Sequence, residues 1–279
     1  MKTDLLLVPM GARYAEMRAA ALAAEDAGFD GLWTWDHLRD PERPRGGGAG
    51  VPEAWTTLTA LAEVTRRIAL GPLVLNVGLR HPGVLANMAA TFQQVSGGRL
   101  LLGVGAGGSR KTPYVFEQDG LGIPVEPDRV RAERVAEAIQ VMRRLWAGDT
   151  GSFAGAHYRL EQPTGYLRAE PPPPVIVGGF GPRMAAIAGR HSDGFNTQAR
   201  HPQLADLCRV ARDAHAAAGR DPAGFQLSVF AGLADRWLRA DAPERQALEP
   251  LGITRLILLA QPPYPLEAIR AAGRLLAAR

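Results

Sequence analysis

Short apolar runs alternate along the chain with longer segments in which apolar residues recur every three or four positions. The runs are rich in Val, Ile and Leu and read as strands buried on both faces; the longer segments have the period of helices with one apolar stripe. Strands are predicted over residues 5–8, 31–35, 68–75, 100–104, 175–177, 194–197, 227–231 and 256–259. Helices are predicted over residues 14–27, 54–65, 83–95, 129–147, 183–191, 203–218, 244–248 and 266–278. Gly28 and Gly219 sit where the first and sixth helices should end, and Pro82, Pro182 and Pro202 where others should begin. Eight strand and helix units of this kind close into a single (β/α)8 TIM barrel, an α/β fold taking residues 1–279 as one domain. An open doubly wound sheet is the alternative, and such sheets more often stop at fewer strands.

Insertions fall after strands two and four and before strand five. Residues 40–52, 110–126 and 148–174 are long enough to be expected at a binding site. Within the last, the alternation from Ser152 to Leu160 around Gly155 predicts a small hairpin.

Composition narrows the function classes. At 279 residues and 46% apolar the chain can bury one large core. No apolar run is long enough to span a membrane, and a strand begins within a few residues of Met1, so a soluble protein of the cytoplasm is expected. The one cysteine, Cys208, lies in a helical pattern and supports neither a disulfide framework nor a thiolate metal site. The net charge of +4 suits anionic ligands without forming a nucleic-acid stripe: Arg143 and Arg144 lie on an amphipathic helix with no aromatic platform. Nucleic-acid and membrane partners are therefore not expected. With only Lys2 and Lys111, and no His, Asp and Glu grouping at ligand spacing, a Schiff-base aldolase or a metal-dependent isomerase is disfavoured.

In a barrel the chemistry gathers where strands end. After strand two come Asp36 and His37, a carboxylate and an imidazole able to hold a heteroaromatic ring or move a proton. Trp33 and Trp35 share a strand face and read as barrel packing. Asn76 follows strand three, then Arg80, His81 and Pro82, where His81 is either a helix cap or a ligand contact. After strand four, Gly103, Gly105, Gly107 and Gly108, with Ala106 among them, would let the backbone pass close beneath a flat ring. After strand five, Gly178, Gly179, Phe180, Gly181, Pro182, Arg183 and Met184 run straight into a helix N-terminus, where free amides and the helix dipole would take a phosphate. Asn196 on strand six either reaches the cavity or satisfies a strand end.

Taken in order and spacing, these segments resemble the luciferase-like monooxygenase superfamily, in its branch that uses the deazaflavin coenzyme F420. The resemblance rests on Gly28-Phe29-Asp30-Gly31-Leu32-Trp33 leading to Asp36-His37, on Arg67 to Gly71, and on Leu79-Arg80-His81-Pro82. It continues through Ser96 to Leu100 with the glycines from Gly103 to Gly107, Phe153 to Tyr158, and Pro174 to Arg183 with Asp193-Gly194. It implies a barrel holding coenzyme F420, or alternatively FMN, with its ring at the strand ends. Asp36, Asn76, Gly105, Ala106 and Gly107 would then border the ring, Leu73-Val74 would form the bulged, often cis peptide behind it, and Gly178 to Met184 would hold the phosphate. His37 would be the proton-handling residue. The family's sugar-phosphate dehydrogenases carry a glutamate just after the strand-four glycines; Gly108 stands there, which argues against that activity and leaves His37 as the sole nominated acid or base. Arg110 and Lys111 are candidates for the cofactor's anionic glutamate tail.

The resemblance further implies a small-molecule substrate, a homodimer through the helices after strands two and three, and, for an FMN enzyme, a separate cofactor reductase. Three readings follow: an F420-dependent oxidoreductase acting by hydride transfer, an FMN-dependent monooxygenase using reduced flavin and oxygen, and a non-catalytic cofactor carrier motivated by Gly108.

Overall fold

The computed structural model describes residues 1–40 and 50–277. The chain begins β1 (Lys2–Leu7), α1 (Tyr14–Asp26), β2 (Gly31–Thr34), α2 (Ala54–Val64), β3 (Ala69–Pro72), β4 (Leu75–Asn76), α3 (Pro82–Ser96) and β5 (Leu102–Gly105). It continues through α4 (Phe116–Asp119), α5 (Asp128–Trp146), β6 (Phe153–Ala154), β7 (Arg159–Leu160), β8 (Val175–Gly178), α6 (Pro182–His191), β9 (Gly194–Gln198) and α7 (Leu204–Ala217). It closes with β10 (Gln226–Gly232), α8 (Asp235–Leu238), α9 (Pro243–Gln246), β11 (Ile253–Ala260) and α10 (Leu266–Leu276).

The parallel strands run in the order β3-β2-β1-β11-β10-β9-β8-β5-β4. The two ends of that order are halves of one broken strand: β3 pairs with β2, β4 pairs with β5, and Leu70 of β3 bridges Leu100 just before β5. Nine segments thus fill eight places around a closed barrel, as the alternating pattern predicts.

The strand expected over residues 68–75 is split. Leu73 still donates to the Thr34 carbonyl of β2, at 2.8 Å, while Leu75 already pairs with Val104 of β5. Between them the Leu73-Val74 peptide is cis, as the resemblance implies. The chain passes from one neighbouring strand to the other here, and a period-2 pattern cannot report that switch.

A second correction concerns residues 244–248, where one helix was expected. One short helix, α9, and a 3-10 turn at Glu249–Leu251 stand there, and a second short helix, α8, precedes them. Pro243 opens α9, and Gly252 in the left-handed conformation (φ 68°) ends the last turn, so no piece grows long. The segment instead packs against the outside of the barrel, burying Trp237, Leu238 and Leu248 in the layer between strands and helices, with Arg245 buried beside them. The predicted hairpin forms, with Phe153 opposite Leu160. The remaining helices agree with expectation to within a residue or two; residue 278 lies outside the described residues. Pro82 and Pro182 open α3 and α6, whereas Pro202 stands two residues ahead of α7. Among the described residues no helix is long and apolar enough to cross a membrane.

Apolar residues form two layers. One lies between strands and helices; the other, with Leu6, Val8, Trp33, Leu73, Leu101 and Ile257, fills the barrel interior. Trp33 is packing, as expected, and its ring occupies the room left by Gly71, where a Cβ would come within 2.6 Å of it.

Candidate active site

Just beyond β2 the chain turns across the top of the barrel and presents His37. Its Nδ1 meets Glu117 Oε1 at 2.5 Å, and the second carboxylate oxygen, Oε2, accepts the Leu38 amide at 2.6 Å. The Glu117 side chain is 7% exposed and that of His37 23%. Tyr114 stacks on the imidazole with ring centres 4.6 Å apart, and Trp35 meets it edge-on at 5.9 Å. A buried carboxylate at Nδ1 fixes the tautomer: Nδ1–H donates to Glu117, and the Nε2 lone pair is left to accept a proton. Burial of the carboxylate strengthens the pair by excluding water.

Glu117 gives His37 a carboxylate partner that no motif in the sequence nominates. It comes from α4, nine residues beyond Gly108, and Gly108 makes the approach feasible. A Cβ at Gly108 would lie 2.7 Å from the Tyr114 Cβ and 2.8 Å from the Tyr114 carbonyl carbon. The missing side chain at 108 therefore lets the segment that delivers Tyr114 and Glu117 pack against the strand-end glycines.

Asp36 faces its neighbours rather than open space. Its side chain is fully buried, accepting from Arg80 at 2.7 and 2.9 Å and from the Asn76 amide at 2.9 Å. Arg80 reaches on to Glu53, the N-cap of α2, at 2.7 Å. Burial would raise the Glu53 carboxyl, but hydrogen bonds from Thr56, Trp55 and Arg80 outweigh it and hold the group below its ordinary value. Asn76 is likewise engaged, donating to Gln118 at 3.0 Å and accepting the Gly78 amide at 2.8 Å. Asp36 and Asn76 thus form a frame tying β2, β4 and the segment of α4 together. His81 caps α3, accepting the Gly83 amide at 3.1 Å.

The floor is glycine. Val74 projects from the cis peptide over β5 and β8, where a Cβ at Gly105 would come within 2.5 Å of its methyl and one at Gly178 within 2.8 Å. The missing side chains on these two adjacent strands make room for Val74, and the three residues together form a shelf at the barrel mouth. The carbonyls of Ala106 and Gly107 turn away to accept from Arg131, at 2.6 and 2.8 Å.

Beyond the shelf, Gly178 to Met184 lead into α6. The amides of Phe180, Gly181, Arg183 and Met184 have no hydrogen-bond partner among the described residues, and Gly181 caps the helix without a side-chain bond. Phe180 is exposed and meets Phe230 of β10 at 6.3 Å. Lys111 and Arg183 both act on Asp128, whose carboxyl is held low chiefly by a hydrogen bond from Arg131. Arg183 and the free amides of this turn together suit a phosphate. Asn196 points inward but bonds Ser228, at 2.9 Å. Among the described residues no group of His, Cys, Asp and Glu could hold a metal. Of the insertions expected to shape the substrate pocket, residues 41–49 lie outside the described residues.

The model of the luciferase-like monooxygenase family matches residues 3–258. The chain belongs to this family. An F420-dependent glucose-6-phosphate dehydrogenase of Nakamurella multipartita is 36% identical over 239 residues, 84% of this chain and 66% of that protein. An F420-dependent hydroxymycolic acid dehydrogenase of Mycobacterium tuberculosis is 34% identical over 220 residues, 78% of this chain and 59% of the relative. The chain thus spans about half to two thirds of the length of these curated relatives. Among solved structures, an F420-dependent secondary alcohol dehydrogenase in complex with an F420-acetone adduct matches with a TM-score of 0.83, over 100% of this chain and 99% of that one at 21% identity. A coenzyme F420-dependent tetrahydromethanopterin reductase from Methanopyrus kandleri matches at 0.77, covering 99% and 98% at 18% identity. At these identities the likeness shows the fold, a barrel shared across the family.

The sequence nominates His37, the strand-end glycines and the phosphate turn, and does not nominate Glu117, which stands against His37. The available signal was a carboxylate in the strand-four insertion of a barrel, where any side chain can reach the mouth. Its distance from the glycines hid it from motif reading.

Proposed function

We propose that this chain is an oxidoreductase that transfers hydride between coenzyme F420 and a hydroxyl- or carbonyl-bearing carbon of a small organic substrate. The observation that carries the reading is the His37–Glu117 pair at the edge of the glycine shelf: an oriented base beside a flat seat is what alcohol oxidation or its reverse needs. F420-dependent dehydrogenases among its relatives support the cofactor. The residues fit the group, because the shelf of Val74, Gly105 and Gly178 suits a planar ring and the free N–H groups of Phe180, Gly181, Arg183 and Met184 can donate to its phosphate.

When bound, F420 supplies a two-electron hydride acceptor or donor. The protein's residues do the rest. His37 Nε2 takes the proton of a substrate hydroxyl, and Glu117 stabilises the imidazolium through Nδ1–H. In the reverse direction the imidazolium returns the proton to a carbonyl oxygen. Asp36, Arg80 and Asn76 keep the β2 and β4 ends in register under this pair. Tyr114 limits the swing of the imidazole and narrows the approach to it.

The finer readings are a single barrel domain over residues 1–279, a cytoplasmic location and a homodimer through α2 and α3, where Val84 is 58% exposed. Light scattering on the purified chain tests the dimer.

Titration of the apoprotein with F420 and, separately, FMN tests the cofactor, with a Gly181→Asp variant alongside. A Cβ at Gly181 meets nothing within 4 Å, so the variant adds charge at the phosphate turn without a clash. The expected result is tight F420 binding, weaker FMN binding and loss of affinity in the variant. Preference for FMN would instead favour the monooxygenase reading, with reduced flavin delivered by a separate reductase.

A further inference from the structure

Beside the phosphate turn a groove of about 520 Å³ runs between α5 and α6. Arg129 and Glu133 line it from α5, and Arg183, Ile187, Arg190 and His191 from α6. Arg183 and Arg190 stand two turns apart on one face of α6, about 10 Å along its axis. Neither has an ion-pair partner among the described residues, whereas Arg129 pairs with Glu133 at 3.1 Å, and Glu133 also meets His157 Nε2 at 3.3 Å. The field in the groove is positive: burial, then the charges of Arg190, Arg143 and Arg220, depress the His191 imidazole. Ala136, Ala186 and Ile187 give the groove an apolar bed between its arginines.

We propose that this groove binds the oligo-γ-glutamate tail of coenzyme F420, an inference that rests on the cofactor reading above. The tail is joined through the phosphate side of the coenzyme, so a phosphate seated on the amides from Phe180 to Met184 delivers the tail at Arg183, which lines both sites. Successive carboxylates then meet Arg183, Arg129 and Arg190, while the methylenes between them lie on Ile187 and the alanines. FMN ends at its phosphate and leaves the groove unfilled, so the groove also discriminates between the two cofactors.

The test is a fluorescence titration of the full chain with F420 carrying its glutamates and with the same coenzyme lacking them. Wild type is compared with an Arg129→Ser/Arg190→Ser double variant, at low salt and near 1 M salt. In wild type at low salt the tailed form binds about tenfold more tightly, from a few exposed ion pairs, and the gap closes at high salt. The double variant binds both forms with the affinity that wild type shows for the tail-less form. Equal affinity of the two forms in wild type overturns the groove while leaving the cofactor reading intact, and so does a variant that weakens both forms equally. Binding of neither form overturns both. The wild-type comparison decides even if the double variant melts early.

Discussion

At the N-terminal ends of the strands, charged side chains are tied into the fold, whereas at the C-terminal ends a bonded polar frame leaves a few donors and acceptors without a partner among the described residues. Below, Asp4 accepts from Arg255 at 2.5 Å and from Trp33 Nε1 at 2.6 Å inside the barrel. Glu25 accepts the amides of Arg66, Arg67 and Ile68, and Arg99 donates to carbonyls of Ala62, Thr65, Ser96 and Ile68. Arg245 ties Met1, Thr3 and Trp237 together. Above, His37 Nε2 and the amides of the phosphate turn have no such partners among the described residues. One end spends its polar groups on stability and the other keeps them for ligands, a division that follows from placing loops after parallel strands.

Substitutions at the two ends should therefore fail in different assays. The largest effect is expected from Asp4→Ala, which strands Arg255 as a buried unpaired charge. Chemical denaturation should show a loss of about 3–5 kcal/mol, with cofactor affinity retained in the fraction still folded. His37→Ala should do the reverse, lowering turnover of a hydroxyl-bearing substrate by about 10²- to 10⁴-fold while unfolding free energy falls by less than in Asp4→Ala, because Glu117 keeps the Leu38 amide.

Glu117→Gln sharpens the contrast, because it leaves the volume and removes the charge that holds the imidazolium. Turnover should fall by about 10- to 100-fold with near-native cofactor affinity. Gly108→Ala should reach the same defect by another route, pushing Tyr114 and Glu117 away from His37; a variant as active as wild type would show that α4 tolerates the shift. The smallest effect lies at the lower end. Burial acts to raise the Glu25 carboxyl, but its hydrogen bonds from the amides of Arg67, Ile68 and Arg66 outweigh that and hold it below its ordinary value. A depressed folded value means the stabilisation is present at neutral pH and lost as pH falls through the carboxylate range. Glu25→Gln should cost about 1 kcal/mol at pH 7, and its melting curve should converge on that of wild type below about pH 4.

Much of this was legible before any coordinates. Strand-length apolar runs between helical periods predicted the closed barrel, and Gly178 to Met184 read as a turn into a helix because glycine, proline and a following amphipathic period have local causes. The break at Leu73-Val74 came only from resemblance, since nothing in the pattern of residues 68–75 separates one strand from two. Asp36 read as a group available to a ligand, yet Arg80, 44 residues away in sequence, claims it.

The sequence by itself determined the periodicities, the glycine positions and the family, because strand burial, helix capping and close backbone approach act over a few residues. Which carboxylate serves His37 was decided only by the tertiary structure. Glu117 lies 80 residues from His37, and they meet because Gly108 leaves room for Tyr114 and because Asn76 anchors Gln118 beside it. Such a pairing depends on the packing of three separate segments, and no local pattern encodes it.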